Sequence, residues 1–579
     1  MVNKKKSNFK QKSFIFEDYS NAEYYFTKNE NKIIKVSLSR TTFLFFFYLI
    51  LLFIFAIKIF YLSLFPEQKY YSHIINKNFD KQRRDIVDTH GRIIARNINV
   101  YKAGIRPKFI KNKDKFLINL RLQFPEINEN IVKEKLNKDK FFYLEDRRLT
   151  EGEKDKLWSL GLSHKALELK KIQTRIYPQK NLFSHVLGQI DDNNSGISGI
   201  EQYFDKDLRS VKINSTPFEL TLDSNLQYLI REELNKAQII FKTKGSAALL
   251  MNINNGEILS LISLPDYNLN ERVSIHDKKF TNKITKGVYE LGSVFKTFTI
   301  AAALENKIVT PTTIFKNLEH SLTCGKYTIS EHDKLPKNLN TEQILIRSSN
   351  IGVVRIAQKI GVKKYKDFLN SLELLDTINF DLAEIGRPLP FNWGKCKLAT
   401  TSYGHGITTT PLQLAKAYSI ISNGGYKIRP TILKKNKGIV KKGKKIISSK
   451  TSNQINSMLR KVVNLSEGTA NFADVEGYDV GGKTGTALKY NSKAKLNTFV
   501  SLFPSSMPKY ILLVMLDEPK AAPDFIYNFP PSEKFPNGYK YKGETRNTSG
   551  WNTVVVAGKI IEKIGPILAI NSLQASKNF

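Results

Sequence analysis

Cysteine is almost missing from this chain of 579 residues: only Cys324 and Cys396 occur. Two thiols cannot build a disulfide framework. Without a C-x-x-C or paired histidine spacing, no metal site and no cofactor are expected. The spacing leaves open whether the two cysteines meet, and they read as ordinary residues rather than a redox pair.

Acidic residues are scarce as well: 53 Asp and Glu stand against 90 Lys and Arg, a formal net charge of +37. Such an excess suits an anionic setting, nucleic acid included. Zinc-finger spacing, an RNP-type motif and a basic zipper are all missing, and lysine is spread along the whole chain. No nucleic-acid partner is therefore expected, and a basic surface near anionic lipid or cell-wall polymer is. The apolar content, 41% hydrophobic and 11% aromatic, is enough for two or more folded cores.

Residues 1 to 40 are polar, with nine Lys or Arg against four acids, and read as a short flexible tail. From Phe43 to Phe65 the only charged residue is Lys58, and Pro66 follows. As a helix that run is about 35 Å long, enough to cross a bilayer core. Lys58 lies near one end, where its ammonium can reach the headgroups. No A-x-A-like cleavage site follows, so the segment reads as a retained anchor. Basic residues before it put the N-terminus in the cytoplasm and the rest of the chain outside.

Beyond the anchor, Ile86-Val87-Asp88 and Arg92-Ile93-Ile94 flank a Thr89-His90-Gly91 turn and predict a hairpin. Thr150 to Glu153 reads as a capping box. Arg175 and Glu201 form a possible structural pair. From Phe218 onward, Leu220 to Asp223 predicts a strand ending in an N-cap, followed by a helix from Ser224 to about Ala237. Ala247 to Ile253 and Glu257 to Leu264 predict a hairpin across Asn254-Asn255-Gly256. Helices are expected around Ser293, Ile351 to Ile360, Pro411 to Ile421 and Asn453 to Val463. Strands follow at Lys483 to Lys489, Thr498 to Phe503 and Tyr510 to Leu516, with a closing helix from Thr553 to Ile564. Strands at both ends with helices between them predict one sheet joining distant segments. Lys434 to Lys450, with eight lysines, reads as a solvated loop.

Three short stretches carry chemistry. In Gly292-Ser293-Val294-Phe295-Lys296, a helix opening at Ser293 puts a hydroxyl and an amine three residues apart on one face, a nucleophile beside a base. Alone, Ser-x-x-Lys is a weak signal in so lysine-rich a chain. Ser348-Ser349-Asn350 follows 55 residues after Ser293, and Lys483-Thr484-Gly485-Thr486 follows 135 residues after Ser348. The ordered set S-x-x-K, S-x-N, K-T-G resembles that of the penicillin-recognising serine acyltransferases.

With these motifs in place, the chain resembles the class B penicillin-binding proteins, and within them the division type. Further matches are Arg175-x-Tyr177-Pro178, Gly196-x-x-Gly199-Ile200-Glu201, Ser402 to Ile407 with Thr410 to Leu414, Glu467-Gly468-Thr469-Ala470 and Asp517-Glu518-Pro519. Two departures stand out. Arg83 to Gly91 replaces the first glycine and second arginine of the family pattern, and Leu291 stands where many relatives have proline. The stretch from Lys520 to Ser549 is longer than usual and is placed near the active-site mouth.

The resemblance implies an α+β, multi-domain fold: a cytoplasmic tail (1–40), a transmembrane helix (41–65) and an elongated mixed α/β pedestal (66–217). A transpeptidase domain (218–570), an antiparallel sheet with helices of serine β-lactamase type, and a C-terminal tail (571–579) complete it. It implies a peptidoglycan D,D-transpeptidase that cross-links stem peptides in septal wall synthesis at a bacterial inner membrane and is acylated by β-lactams. An elongation-type transpeptidase and a membrane-bound β-lactam sensor or hydrolase are the alternatives. Implied partners are a glycosyltransferase of the FtsW type and other division proteins.

By the same resemblance Ser293 is the nucleophile and Lys296 its base. Ser348 relays a proton between Lys296 and Lys483, and Asn350 bonds Lys296 and the substrate amide. Thr484, Gly485 and Thr486 bind substrate, the two hydroxyls and Lys483 holding its carboxylate, and the N–H groups of Ser293 and Thr486 form the oxyanion hole. The helix dipole offers Ser293 only about 0.3 to 1 kcal/mol. A base is therefore needed, and Lys296 serves near neutrality only if its pKa falls from about 10.4 to about 7. His405, between glycines, reads as structural.

Overall fold

A computed structural model of the chain describes residues 31–64, 83–144, 148–191, 194–209, 216–271, 277–325, 327–434, 443–490, 492–529 and 536–577. The chain divides into two units, residues 1–80 and 81–579.

In the first unit, helix α1 (Asn31–Leu64) contains the apolar window Thr42–Phe60, of mean hydropathy 2.7 and with none of it buried. The helix begins well before the expected start at residue 41. Once the apolar run has formed turns, each added residue gains a hydrogen bond without a new nucleation cost, so helix extends back into the polar flank. Residues 1–30 of the expected tail lie outside the described residues.

The second unit opens with the expected hairpin. β1 (Ile86–Val87) pairs antiparallel with β2 (Ile93–Ile105), and buried Asp88 closes the turn by accepting the N–H groups of His90 and Arg92, both at 2.9 Å. Helices α2 (Lys113–Gln123) and α3 (Glu129–Asn137) follow, then β3 (Phe142–Tyr143), α4 (Glu151–Trp158) and β4 (Leu167–Ile176). The capping box forms at α4 between Thr150 and Glu153. β4 lies antiparallel along β2 from Arg96↔Ile176 to Ile105↔Leu167. Phe116, Leu120, Val132, Leu136 and Leu157 bury a separate small core against this ribbon.

Arg175 and Glu201 do pair, at 2.7 Å, and Arg83 joins them at 2.5 Å with all three side chains fully buried. The acid thus balances two guanidinium groups in a region where an unpaired charge would be costly.

β5 (Phe218–Glu219) runs parallel to β1, so the two regions share a sheet. The expected N-cap is Asp223, whose Oδ1 accepts the N–H of Asn225 at 2.8 Å and opens α5 (Ser224–Phe241), longer than predicted. The hairpin β6 (Gly245–Asn252) and β7 (Ile258–Leu264) follows. Next come α6 (Lys296–Glu305), the short hairpin β8 (Ser321–Cys324) and β9 (Tyr327–Ser330), α7 (Asn350–Ile360), α8 (Lys395–Ser402), α9 (Pro411–Ser422) and α10 (Ser449–Asn464).

The last strands are β10 (Gly481–Leu488), β11 (Lys495–Phe503) and β12 (Tyr510–Asp517). They complete a five-stranded antiparallel sheet in the order β10-β11-β12-β6-β7. Distant segments thus meet in one sheet, as the strand pattern predicts, and β10 is left at its edge. A small hairpin, β13 (Tyr527–Phe529) with β14 (Tyr539–Tyr541), precedes the closing helix α11 (Thr553–Lys577). That helix runs past Ile564, so residues 571–577, read as a tail, are helical. Of the expected loop at Lys434 to Lys450, residues 435–442 lie outside the described residues.

The question that the cysteine spacing leaves open is answered. Cys324, ending β8, and Cys396, in the first turn of α8, form a disulfide with Cα atoms 5.5 Å apart. The two cysteines are 72 positions apart, and the chain between them folds back on itself, a relation that spacing does not encode.

Candidate active site

Ser293 sits in a 3₁₀ turn, Gly292–Phe295, that leads directly into α6. A single helix from Ser293 is the sequence expectation; the tighter first turn is common at helix N-termini and still places Lys296 one turn after Ser293. Gly292 has φ +64°, and a Cβ there would stand 2.7 Å from the Thr486 carbonyl oxygen. The Ser293 turn is therefore pressed against β10. From below, the Tyr418 hydroxyl on α9 donates to the Val294 carbonyl at 2.7 Å and bonds the Thr297 hydroxyl at 2.8 Å. The Thr410-Pro411-Leu412-Gln413 motif explains that helix: Thr410 and Gln413 form a reciprocal capping box, with Pro411 in the first turn.

Ser348 lies just before α7 with φ +57°, a left-handed conformation costly for a residue with a Cβ. Lys296 Nζ donates to its carbonyl at 2.5 Å and to its Oγ at 3.1 Å, and Lys483 Nζ donates to the same Oγ at 3.0 Å. A hydroxyl has two lone pairs and one proton. With both pairs engaged by the amines, its one proton remains available for donation.

Both lysines are fully buried. Burial pulls Lys296 down to about 7, against an opposing pull from the Glu331 carboxylate. Burial and then the Lys296 ammonium push Lys483 well below its ordinary value. Desolvation is thus the main reason that Lys296 is partly neutral near pH 7. No hydrogen bond among the described residues joins Ser293 Oγ to Lys296, and none joins Asn350 to Lys296, which the resemblance implies. Asn350 Nδ2 instead donates to the Ser330 carbonyl at 2.7 Å, while its buried Oδ1 has no partner among the described residues.

Thr484 Oγ1 bonds Thr469 Oγ1 at 2.9 Å, and Thr486 Oγ1 accepts the Ser549 N–H at 3.1 Å. A Cβ at Gly485 would come within 2.2 Å of the Leu291 carbonyl oxygen, so only glycine lets the two backbones approach this closely. His405 Nδ1 lies 3.1 Å from Glu290, which raises its pKa, and it contacts none of the three motifs. The long stretch before α11 does reach the site, since Ser549 also donates to the Thr498 carbonyl on β11 at 2.7 Å. Arg546 stacks on Trp551 at 4.5 Å within a cluster that includes Phe472, Tyr527, Phe529 and Tyr541. Residues 530–535 of this stretch lie outside the described residues. Among the described residues no group of three or more His, Cys, Asp or Glu is placed to hold a metal ion.

Sequence reasoning missed Glu331, Tyr418 and the contact that Thr469 makes with Thr484. Nothing local marks the first two, whereas Thr469 lies in the Glu467 to Ala470 motif.

Residues 246–528 match the penicillin-binding protein transpeptidase domain, and residues 80–216 match the penicillin-binding protein dimerisation domain. The chain is 31% identical over 504 residues to a protein of Caulobacter vibrioides named probable peptidoglycan D,D-transpeptidase FtsI, covering 84% of this chain and 82% of that one. It is 31% identical over 486 residues to peptidoglycan D,D-transpeptidase FtsI of Buchnera aphidicola, covering 76% and 83%. Against stage V sporulation protein D of Bacillus subtilis it is 30% identical over 503 residues, covering 78% and 76%. With residues of the three motifs meeting at Ser348, and with both domain matches in order along the chain, this protein belongs to the class B penicillin-binding proteins.

Proposed function

We propose that this protein is the division-type peptidoglycan D,D-transpeptidase of its cell, working through an acyl-enzyme on Ser293. The observation that carries the reading is the shared hydroxyl, Ser348 Oγ between Lys296 at 3.1 Å and Lys483 at 3.0 Å. Neutral Lys296 takes the Ser293 proton as Oγ attacks the carbonyl between the two terminal D-Ala residues of a stem peptide. The N–H groups of Ser293 and Thr486 receive the developing oxyanion, where one such donor is worth about 3 to 4 kcal/mol. Ser348 hands a proton from the lysine pair to the leaving amine, and D-Ala departs. An amine of a second stem then attacks the ester, returning the proton by the same route and freeing Ser293.

β10 supports the binding half of this scheme. As an edge strand it has backbone groups free to pair with an extended peptide. Thr484, Gly485 and Thr486 lie along it, the two hydroxyls and Lys483 suiting a terminal carboxylate. The unpartnered Asn350 Oδ1 suits a substrate amide N–H.

The anchor-like α1 and the basic flank before it support a single-pass protein with a cytoplasmic N-terminus and the catalytic domain outside the inner membrane. A glycosyltransferase of the FtsW type is the partner this placement suits.

Full-length protein in detergent is incubated with benzylpenicillin and its intact mass recorded. A long-lived adduct on Ser293, lost in Ser293→Ala, is expected. Rapid turnover of the drug would point to a hydrolase, and no adduct to an inactive scaffold. A fluorescent fusion confined to side walls would turn the assignment to the elongation type.

A further inference from the structure

Glu331 follows β9 directly, and its N–H stays on the hairpin, donating to the His320 carbonyl at 2.9 Å. Its buried carboxylate turns inward to the start of α7. Oε1 accepts the Ser349 hydroxyl at 2.6 Å and the Ile351 N–H at 3.0 Å, and Oε2 accepts the Asn350 N–H at 2.7 Å. Ser349 Oγ in turn accepts the Gly352 N–H at 2.9 Å. Three amides of the first turn, which have no partner within the helix, are thus satisfied by one acid and one hydroxyl. Ser348 is the residue immediately before this cap, and a φ of +57° is a strained conformation that needs the surrounding structure to hold it.

Packing holds the hairpin that carries Glu331 through buried Ile329, with Leu322 partly buried against the same core. Each strand is four residues long, Ser321, Thr323, Thr328 and Ser330 are exposed, and a two-stranded ribbon of that kind is marginal in water. The Cys324–Cys396 disulfide supplies a second anchor. It ties the end of β8 to α8, and α8 packs against α7. A closed circuit results: α7, α8, disulfide, hairpin, Glu331, and back to α7.

Resting on the proposed function, we infer that this hairpin is a positioning arm for proton transfer. Its disulfide holds Glu331 on the α7 N-terminus, and Glu331 thereby fixes Ser348 between Lys296 and Lys483.

Two contributions are separable. One is geometric, the cap. The other is electrostatic, because Glu331 opposes the effect of burial on Lys296. The charged groups facing Lys296 are Glu331 and His332 on the arm and Lys483 on β10; His332 also faces Asp333 and Lys495. Removing the Glu331 charge leaves only His332 and Lys483 acting on Lys296, and neither favours its protonated form.

The test measures the benzylpenicillin acylation rate of the full-length protein from about pH 5 to about pH 9. In Glu331→Gln the rate falls about tenfold or more and the midpoint of its rise moves about one pH unit acidic. In Glu331→Asp the midpoint returns to the wild-type value. Cys324→Ser/Cys396→Ser slows acylation several-fold alone and adds nothing in the Glu331→Gln background, since both act through one cap. A wild-type rate and midpoint in Glu331→Gln overturns the inference. So does a loss that is flat across pH, or full additivity with the cysteine changes. If the wild type takes no adduct, the reading of the site falls. Crystal structures of wild type and Glu331→Gln then decide the arm, which is refuted if Ser348 Oγ keeps both lysines in the variant.

Discussion

Lys483 Nζ reaches Ser348 Oγ at 3.0 Å across 135 residues of sequence. With Lys296 on the same hydroxyl, two buried amines share one small acceptor, and the protonation of Lys296 decides whether it can take a proton. Its pKa of about 7 sets the sign. Acylation by benzylpenicillin rises with pH as Lys296 becomes neutral, with a midpoint near that value. Lys296→Arg stays charged throughout and drops the rate about 10²- to 10⁴-fold. A wild-type rate that is flat through neutrality would remove Lys296 from the base role.

The same burial costs stability. Folded Lys296 releases its proton at about 7, whereas in the unfolded chain it is held to about 10.5. Between those values the unfolded state binds more protons, so stability rises with pH. Lys296→Met therefore unfolds at higher urea than wild type, by about 1 to 4 kcal/mol near neutrality. Its advantage is widest below about pH 7 and closes toward pH 10.5. A variant less stable than wild type at all pH values would contradict the desolvation argument.

Much of the site was legible because its chemistry is written in dense local motifs. Ser293 and Lys296 share a helical turn, and Lys483 to Thr486 share a strand. The central sheet was legible too, since β6, β7, β11 and β12 are largely apolar runs bounded by turn residues, while β10 is marked instead by its Lys-Thr-Gly motif. What was not legible is contact between segments with no pattern in common. Glu331 is one acid after a short strand, and only folding brings it to Asn350. Cys324 and Cys396 look alike whether paired or apart. The bond from Asn350 that does form, Nδ2 to the Ser330 carbonyl on the neighbouring hairpin, is of the same kind, and nothing in Ser348-Ser349-Asn350 announces it.

In the region below the catalytic domain, Glu201 is the residue on which packing depends most. Its carboxylate meets Arg83 and Arg175 with no solvent access. Glu201→Ala leaves the Arg175 guanidinium buried without its acid, while Arg83 keeps Asp205 at 2.6 Å. A loss of about 3 to 5 kcal/mol is expected in urea unfolding. Glu134→Ala, which breaks an exposed pair with Lys138, should change stability by less than about 1 kcal/mol. Equal effects from the two would mean that burial does not govern these pairs.

Gly485 tests how closely the nucleophile turn and the substrate strand must approach. A Cβ at this position would meet the Leu291 carbonyl oxygen at 2.2 Å, and that oxygen belongs to backbone rather than to a flexible side chain. Gly485→Ala must therefore push β10 away from the turn, carrying Lys483 from Ser348 and the Thr486 N–H from Ser293. Overpacking of this kind costs about 1 to 3 kcal/mol. Catalysis should suffer more, because a displacement near 1 Å can cost about 10²-fold in rate. Gly152→Ala is the control: the site is an exposed helical position with nothing within 4 Å of the new methyl group, and it should gain roughly 0.5 to 1 kcal/mol with acylation unchanged. If Gly485→Ala acylates as fast as wild type, the backbone contact is not what sets the width of the cleft, and the lysine strand is held by its pairing to β11 alone.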